Sequence, residues 1–377
     1  MSRLERIRFQ NYKGFKNFQD LSLKPITVVF GKNSSGKSSI LKLLAMLSHA
    51  VNGGVNSEFS LTPIEGVSLG TRFHDLFYNR ILAGLKFELQ YDDVKLSSEM
   101  LINDGDFSVY HYDATKGDRK IEKNIGQDLP SSLIDENCLN TLDINEKELV
   151  FDTNYIGPIR IQAPSNIAFS SASKTTKVGF QGENTYGMLL NSYLKKDGLF
   201  DYVSAWMKDN LEGQELVMDA VNPSSGLYSL MVNRNGILVN VADVGQGISQ
   251  LLPIITASFI NYSKNTFVEI EQPALHLHPA AHANIAYRLA ASAMELGTRY
   301  VVESHSENFL LGLRKMVADK ENSFTSDDVV IYYIRSEKAP FTIEEIHITS
   351  DGDLTSWPTG VFAEGFELMD EIIDLQS

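Results

Sequence analysis

Short bursts of alternating apolar and polar residues open the chain. Leu4–Phe9 and Phe18–Leu23 read as strands with a turn near Gly14, and Pro25–Phe30 is a β-rich run that stops at Gly31. Ser38–Ala50 carries apolar residues at helical spacing. Residues 51–80 read as loop, punctuated by Gly53, Gly54, Pro63, Gly66 and Gly70. Leu85–Tyr91, Val94–Ile102 and Phe107–Tyr112 follow as an antiparallel meander, and 116–150 is polar, acidic and poorly periodic. Tyr155–Arg160 reads as a strand ending in a turn, followed by a Ser/Thr-rich loop to Lys177 and helices over 184–195 and 199–210. Strands at Glu215–Val221 and Tyr228–Val232 precede Gly236.

The last third alternates more regularly. Helices are predicted over Gly247–Ile260, Pro279–Leu296 and Glu307–Val317. Between and after them come strands at Thr266–Ile270, Tyr300–Glu303, Val329–Ile334 and Ile343–Ile348. Strand–helix alternation predicts an α/β fold on a mostly parallel sheet. No heptad run, internal repeat or low-complexity tract is visible, so a coiled-coil arm is not expected.

Composition narrows the picture. The chain has 377 residues, 43% of them hydrophobic, enough for a sizeable core in one large domain or two to three lobes. A net charge of −15 argues against coating naked nucleic acid, although a local basic patch stays compatible with it. The single cysteine, Cys138, excludes a disulfide framework and fits a reducing compartment. There is no leader-like start, and no apolar run approaches the about 20 residues a bilayer span requires. Leu251–Ile260 is too short and reads as a core helix. A cytoplasmic protein without a membrane partner is the expectation.

The strongest chemical signal is Gly31-Lys-Asn33-Ser34-Ser35-Gly36-Lys37-Ser38, which fits G-x-x-x-x-G-K-[ST] between a β-run and a helical run. Glycines let backbone N–H groups curl round phosphate oxygens, and the emerging helix adds its positive end. Lys37 is expected on the β- and γ-phosphates of ATP and Ser38 on Mg²⁺, with Ser39 beside them. Such a loop needs an acidic residue at the end of a neighbouring strand. Phe267-Val-Glu-Ile-Glu271-Gln272-Pro273 supplies Glu271. Glu269 should face the same side and is expected to be a partnered polar residue rather than a second catalytic carboxylate.

Asp243-Val-Gly245-Gln-Gly247-Ile-Ser249-Gln250 places two glycines at a helix start, either an anion site or a Gly-rich turn before a core helix. Ala274-Leu-His276-Leu-His278-Pro279 follows the acidic strand, and Ser304-His305-Ser306 follows the next. His305 is thereby placed to sense a γ-phosphate. A zinc site from His276, His278 and His282 is the rival, disfavoured because no Cys joins the cluster and the spacing fits no standard set. Packed or solvated histidines are the plainest reading of His276 or His282.

This order of motifs resembles AAA-like, ABC-type bacterial ATPases of the SMC/RecF group and of OLD-family proteins. It is most similar to a bacterial group with an uncharacterised C-terminal extension, at Tyr155–Arg160, Gly179–Glu183, Glu271–Pro273, Leu275–Pro279 and Asp351–Pro358. The resemblance implies a P-loop NTPase of ABC-ATPase head type: a mixed central sheet with helices, an antiparallel β lobe and a small inserted subdomain. It implies an N-terminal ATPase part at 1–84, an inserted lobe at 85–240, a C-terminal core at 241–348 and an extension at 349–377. Lys37 and Ser38 match the phosphate and Mg²⁺ ligands, and Glu271 the acidic strand residue. Gln272 stands at the position that activates water, usually a glutamate, and His305 at the switch histidine. Gly245, Gly247 and Ser249 belong to a signature loop that reaches ATP in the opposite subunit of a homodimer. His278 stands where many relatives carry an interface aspartate, and Ala274 replaces a frequent glutamate.

Several such relatives act in anti-phage defence beside a separately encoded effector. The implied function is an ATP-driven dimeric switch controlling a partner, plausibly a nuclease. The alternative is a RecF/SMC-like DNA-repair or DNA-end-sensing ATPase. A built-in nuclease is disfavoured because residues 318–377 are too few for a typical appended domain and Asp351-Gly-Asp353 reads as a turn. A transporter motor would need a membrane partner that nothing here suggests.

Overall fold

Alternation at the N-terminus builds a hairpin: β1 (Leu4–Gln10) pairs antiparallel with β2 (Gln19–Ser22). The computed structural model describes residues 2–53, 61, 65–103, 106–127, 129–130, 133–170, 175–222, 224, 226–263, 265–358, 369 and 371–373. The fully buried β3 (Ile26–Gly31) leads into α1 (Lys37–Asn52). The stretch read as loop holds two short 3₁₀ turns, Phe73–Leu76 and Tyr78–Arg80, while Gly54 and Pro63 lie outside the described residues. The meander forms as β4 (Ala83–Tyr91), β5 (Val94–Asn103) and β6 (Asp106–Lys116). It gains an edge strand that the pattern does not show, β7 (Arg119–Asn124), in a sheet of order β2-β1-β4-β5-β6-β7. Strand β4 thus crosses position 84.

Two short helices, α2 (Glu136–Thr141) and α3 (Glu146–Leu149), lead to β8 (Asp152–Ile156). A third, small antiparallel sheet collects β9 (Ile167–Ala168), β10 (Glu215–Asn222), β11 (Leu227–Arg234) and β12 (Ile237–Asn240). Helices α4 (Thr185–Lys195) and α5 (Leu199–Asn210) lie before β10 in the chain and pack near this sheet. The remaining order is α6 (Gln246–Ser258), β13 (Thr266–Glu271), α7 (Pro279–Leu296), β14 (Arg299–Glu303), α8 (Glu307–Ala318), β15 (Val329–Arg335) and β16 (Thr342–Ile346).

The central sheet has order β16-β15-β3-β14-β13-β8 and is parallel except where β16 meets β15. Strands β3, β13, β14 and β15 bury both faces, as parallel sheets do. On one face Val29, Phe267 and Val301 pack with α1 and the antiparallel sheet. On the other, Val28, Phe30, Ile270 and Val302 pack with α4 to α8. The two-residue period of the strands therefore divides one sheet between two cores. Helix α1 buries Ile40, Leu41, Leu44, Leu47 and Val51. Each such side chain is worth roughly 1.5–3 kcal/mol, so the phosphate loop sits on a rigid strand and a well-anchored helix.

After β16, Asp351-Gly352-Asp353 forms a turn with Gly352 at φ 83, and Trp357 packs edge-on against Phe30, 6.3 Å between ring centres. Most of the extension beyond Pro358 lies outside the described residues. No described helix is long and apolar enough to cross a membrane.

Candidate nucleotide site

Strand β3 delivers its chain to Gly31, at φ 154, where a Cβ would lie 2.6 Å from Ser35 Oγ and 3.1 Å from the Ile334 carbonyl. Only glycine fits there. Ser34 (φ 62) and Gly36 (φ 93) turn the loop through left-handed backbone, and Gly36 caps α1. Lys32, Asn33 and Ser34 are exposed, whereas the Ser35 hydroxyl is buried with no hydrogen-bond partner among the described residues. The Lys37 ammonium folds back over the loop, donating to the carbonyls of Gly31 (3.0 Å) and Lys32 (2.8 Å). Burial pushes its pKa down, against the pull of Glu303 and Glu271. Ser39 N–H donates to Gly36 O, and its own carbonyl accepts the Tyr12 hydroxyl at 3.1 Å.

Parallel pairing of β13 and β14 sets Glu271 beside Glu303 at the strand ends. The Ser38 hydroxyl lies 2.6 Å from a Glu303 oxygen and 3.2 Å from a Glu271 oxygen. Lys37 Nζ stands 3.9 Å from Glu303. Burial, then the neighbouring Glu271, pushes the Glu303 pKa up, while Ser38 and Lys37 oppose the shift. Sequence reasoning missed Glu303; an acidic residue closing a buried strand just before Ser304-His305 was the available signal. On the other side, the buried Tyr155 hydroxyl donates to Glu271. The peptide after Glu271 turns through Gln272 at φ 46, and Gln272 N–H donates to the Glu303 carbonyl at 2.8 Å.

Glu269 does not fit the expectation of a partnered side chain. It is fully buried and neither carboxylate oxygen has a hydrogen-bond partner among the described residues. Burial, reinforced by Glu271, pushes its pKa well above the usual carboxylate value, against a weaker pull from Lys177.

These groups suit ATP and Mg²⁺. A helix N-terminus with a lysine and a glycine-lined loop suits phosphate. One hydroxyl and two carboxylates are the hard oxygen donors Mg²⁺ prefers, usually alongside substrate phosphates. Among the described residues no three His, Cys, Asp or Glu side chains gather as a metal-ligand cluster.

The family model described as "AAA domain, putative AbiEii toxin, Type IV TA system" matches residues 26–312, a span that holds the loop, both carboxylates and everything between. The chain belongs to this family. It is an AAA-type P-loop ATPase with the fold of an SMC head. A crystal structure of an SmcHead bound to the C-winged helix domain of ScpA is similar at TM-score 0.50 and 13% identity, covering 92% of this chain and 98% of that one. The SMC head domain from Thermotoga maritima aligns at TM-score 0.41 and 10% identity, over 91% and 98% of the two chains. An Smc head with an extended coiled coil bound to the C-terminal domain of ScpA, from Pyrococcus furiosus, aligns at 0.45 and 11%, over 99% and 100%. No curated protein sequence matches.

In this AAA protein His305 is exposed beside the phosphate loop, its pKa lowered by partial burial and by Lys37. His278 Nδ1 accepts Ala280 N–H and caps α7. His282 spans Leu277 O (3.2 Å) and the Ser306 hydroxyl (2.8 Å), tying α7 to the cap of α8. The Gly179–Glu183 segment is structural. Gly157 and Ile161 N–H donate to the carbonyls of Phe180 and Gln181, and a Cβ on Gly182 would lie 2.3 Å from Pro253.

The glycine loop before α6 lies elsewhere. Gly247 approaches the 276–277 backbone so closely that a Cβ would meet His276 O at 2.9 Å. Gly245 and Gly247 line a cleft of about 730 Å³ with His276, His278 and Arg234. Ser249 does not line that cleft. It is buried at 2% exposure, and its hydroxyl accepts Ala163 N–H at 3.3 Å. Among the described residues no hydrogen bond or ion pair joins 243–249 to 31–39.

Proposed function

We propose that this ATPase is a nucleotide-driven homodimeric switch that controls a separately encoded effector, plausibly in anti-phage defence. Lys37 and the loop 31–39 bind the ATP phosphates, and Ser38 with Glu271 holds Mg²⁺ in this reading, supported by Glu303. Gln272 orients water at the γ-phosphate and His305 reports its presence. The observation that carries the reading is the separation of the two anion-binding loops. The phosphate loop faces its own acidic pair, while Gly245 and Gly247 open on a different cleft. A second copy would bring the two together around ATP.

The water-positioning group is an amide, which cannot take a proton as a carboxylate does, so the bound state is expected to be long-lived. Control of an effector and a defensive role rest on the family resemblance. The test is steady-state phosphate release with Mg²⁺ over a range of protein concentrations. Specific activity should rise with concentration as dimers form. Activity strictly proportional to protein at every concentration would contradict a composite site.

A further inference from the structure

Arg160 is among the most buried charged residues, at 3% exposure, yet no carboxylate pairs with it among the described residues. Its guanidinium instead donates to two backbone carbonyls, Gln250 O at 3.2 Å and Glu271 O at 2.5 Å. Its Nε has no hydrogen-bond partner among the described residues. Its backbone is held as firmly: Arg160 N–H donates to Gln250 Oε1 (3.1 Å), and Gln250 Nε2 donates to Arg160 O (2.9 Å). A cation taken out of water without a direct ion pair is costly, and burial lowers its pKa to about 10 against the pull of the Glu271 charge. Packing alone would be served by an apolar side chain.

What the guanidinium holds gives that cost a use. Gln250 belongs to the first turns of α6, three residues after Gly247. Glu271 O is the carbonyl of the peptide joining Glu271 to Gln272, whose N–H is fixed on Glu303 O. One side chain thus ties the helix of the glycine loop to the peptide that aims both proposed catalytic-site residues. We propose that Arg160 is a positioning residue that couples the seating of the α6 N-terminus to the orientation of Glu271 and Gln272 within one chain. The inference rests on the nucleotide site proposed above. A shift of α6, when its loop is engaged, moves Gln250, and Arg160 passes the shift to the Glu271–Gln272 peptide. Tyr155, five residues earlier on the same segment, fixes the Glu271 carboxylate itself. The segment 155–160 therefore grips Glu271 by side chain and by backbone.

The experiment compares wild type, Arg160→Met, Arg160→Lys, Gln250→Met and the double variant Arg160→Met/Gln250→Met. A fluorescent ATP analogue is titrated with EDTA and with Mg²⁺, and phosphate release is measured on the same samples. Outer-shell partners of metal ligands typically contribute about 10–100-fold to metal affinity or activity. Arg160→Met and Gln250→Met are each expected to lower the Mg²⁺-dependent gain in binding, and kcat, by about tenfold, at the low end of that range. Binding in EDTA, which reads the phosphate loop, is expected to stay at the wild-type value. Arg160→Lys, which keeps a donor, is expected to recover part of the loss. Because the two residues act as one unit, the double variant should be no worse than the more severe single. Wild-type Mg²⁺ dependence in a folded Arg160→Met or Gln250→Met protein, or additive losses in the double variant, would overturn the proposal. Equal loss in EDTA and Mg²⁺ would overturn it too, by showing a purely structural role. If wild type itself bound no ATP, the nucleotide site would fail instead, a result distinct from either.

Discussion

Glu303→Gln isolates the residue that sequence reasoning did not pick out. The amide keeps an acceptor for the Ser38 hydroxyl, now at 2.6 Å, and removes only the charge. Glu303 is 4% exposed and stands 3.9 Å from Lys37 Nζ. At that separation two unit charges attract by about 4 kcal/mol for an effective dielectric of about 20, an amount that the cost of burying both largely offsets. The net effect on folding is therefore expected to be small. Metal affinity is a different matter, because a bound divalent cation loses one of two carboxylates. The expected loss is about 10–100-fold, or about 1.4–2.8 kcal/mol. Binding without metal should be unchanged or tighter, since one negative charge facing the phosphates is gone. Titration of a fluorescent ATP analogue with and without Mg²⁺ reads both quantities on one sample. An unchanged Mg²⁺-dependent gain would refute the acidic-pair account. An equal loss in both titrations would show that Glu303 shapes the loop and not the metal site.

Other substitutions separate the remaining parts. Lys37→Ala should abolish ATP binding with a normal circular dichroism spectrum, because among the described residues its hydrogen bonds go to loop carbonyls and its charge faces the acidic pair, not the core. Retained affinity would count against the loop assignment. Gln272→Glu should raise phosphate release, by up to about 10²-fold for a well-placed base; a slower variant at saturating Mg²⁺ would mean that another group prepares the water. Glu269→Gln should stabilise the fold in a pH-dependent way. The Glu269 pKa is raised by burial, so its contribution is fully present below the ordinary carboxylate range and is lost as pH rises through the raised value. Thermal melts at pH 5 and pH 8 should show the variant's advantage widening with pH, and a pH-independent difference would contradict the raised pKa.

Elements with strong periodicity were legible in the sequence. The phosphate loop, α1, β13, α7 and α8 follow from apolar spacing and from cap residues such as Ser306, whose hydroxyl accepts Phe309 N–H at 3.1 Å. Strand β7 was not legible because Arg119–Asn124 is polar on both faces and alternates exposure with little apolar content. It is an edge strand whose backbone pairs with β6. Strand β12 escaped for a different reason: it is four residues long, and Ile237, Leu238 and Val239 in a row show no apolar–polar alternation. Within the site, Glu271 was visible because a Pro and a histidine motif follow it. Glu303 becomes meaningful only through β13–β14 pairing, which a single sequence does not display. Ser249 follows the glycine motif, and what the sequence does not display is that the first turn of α6 points its hydroxyl at Ala163 N–H within the chain.

Sedimentation velocity with Mg²⁺ and a non-hydrolysable ATP analogue tests the switch most directly. The account predicts monomers without nucleotide and dimers with it, and no such shift in Lys37→Ala. A sedimenting mass that is the same with and without nucleotide, whether monomer or dimer, would contradict a switch driven by ATP.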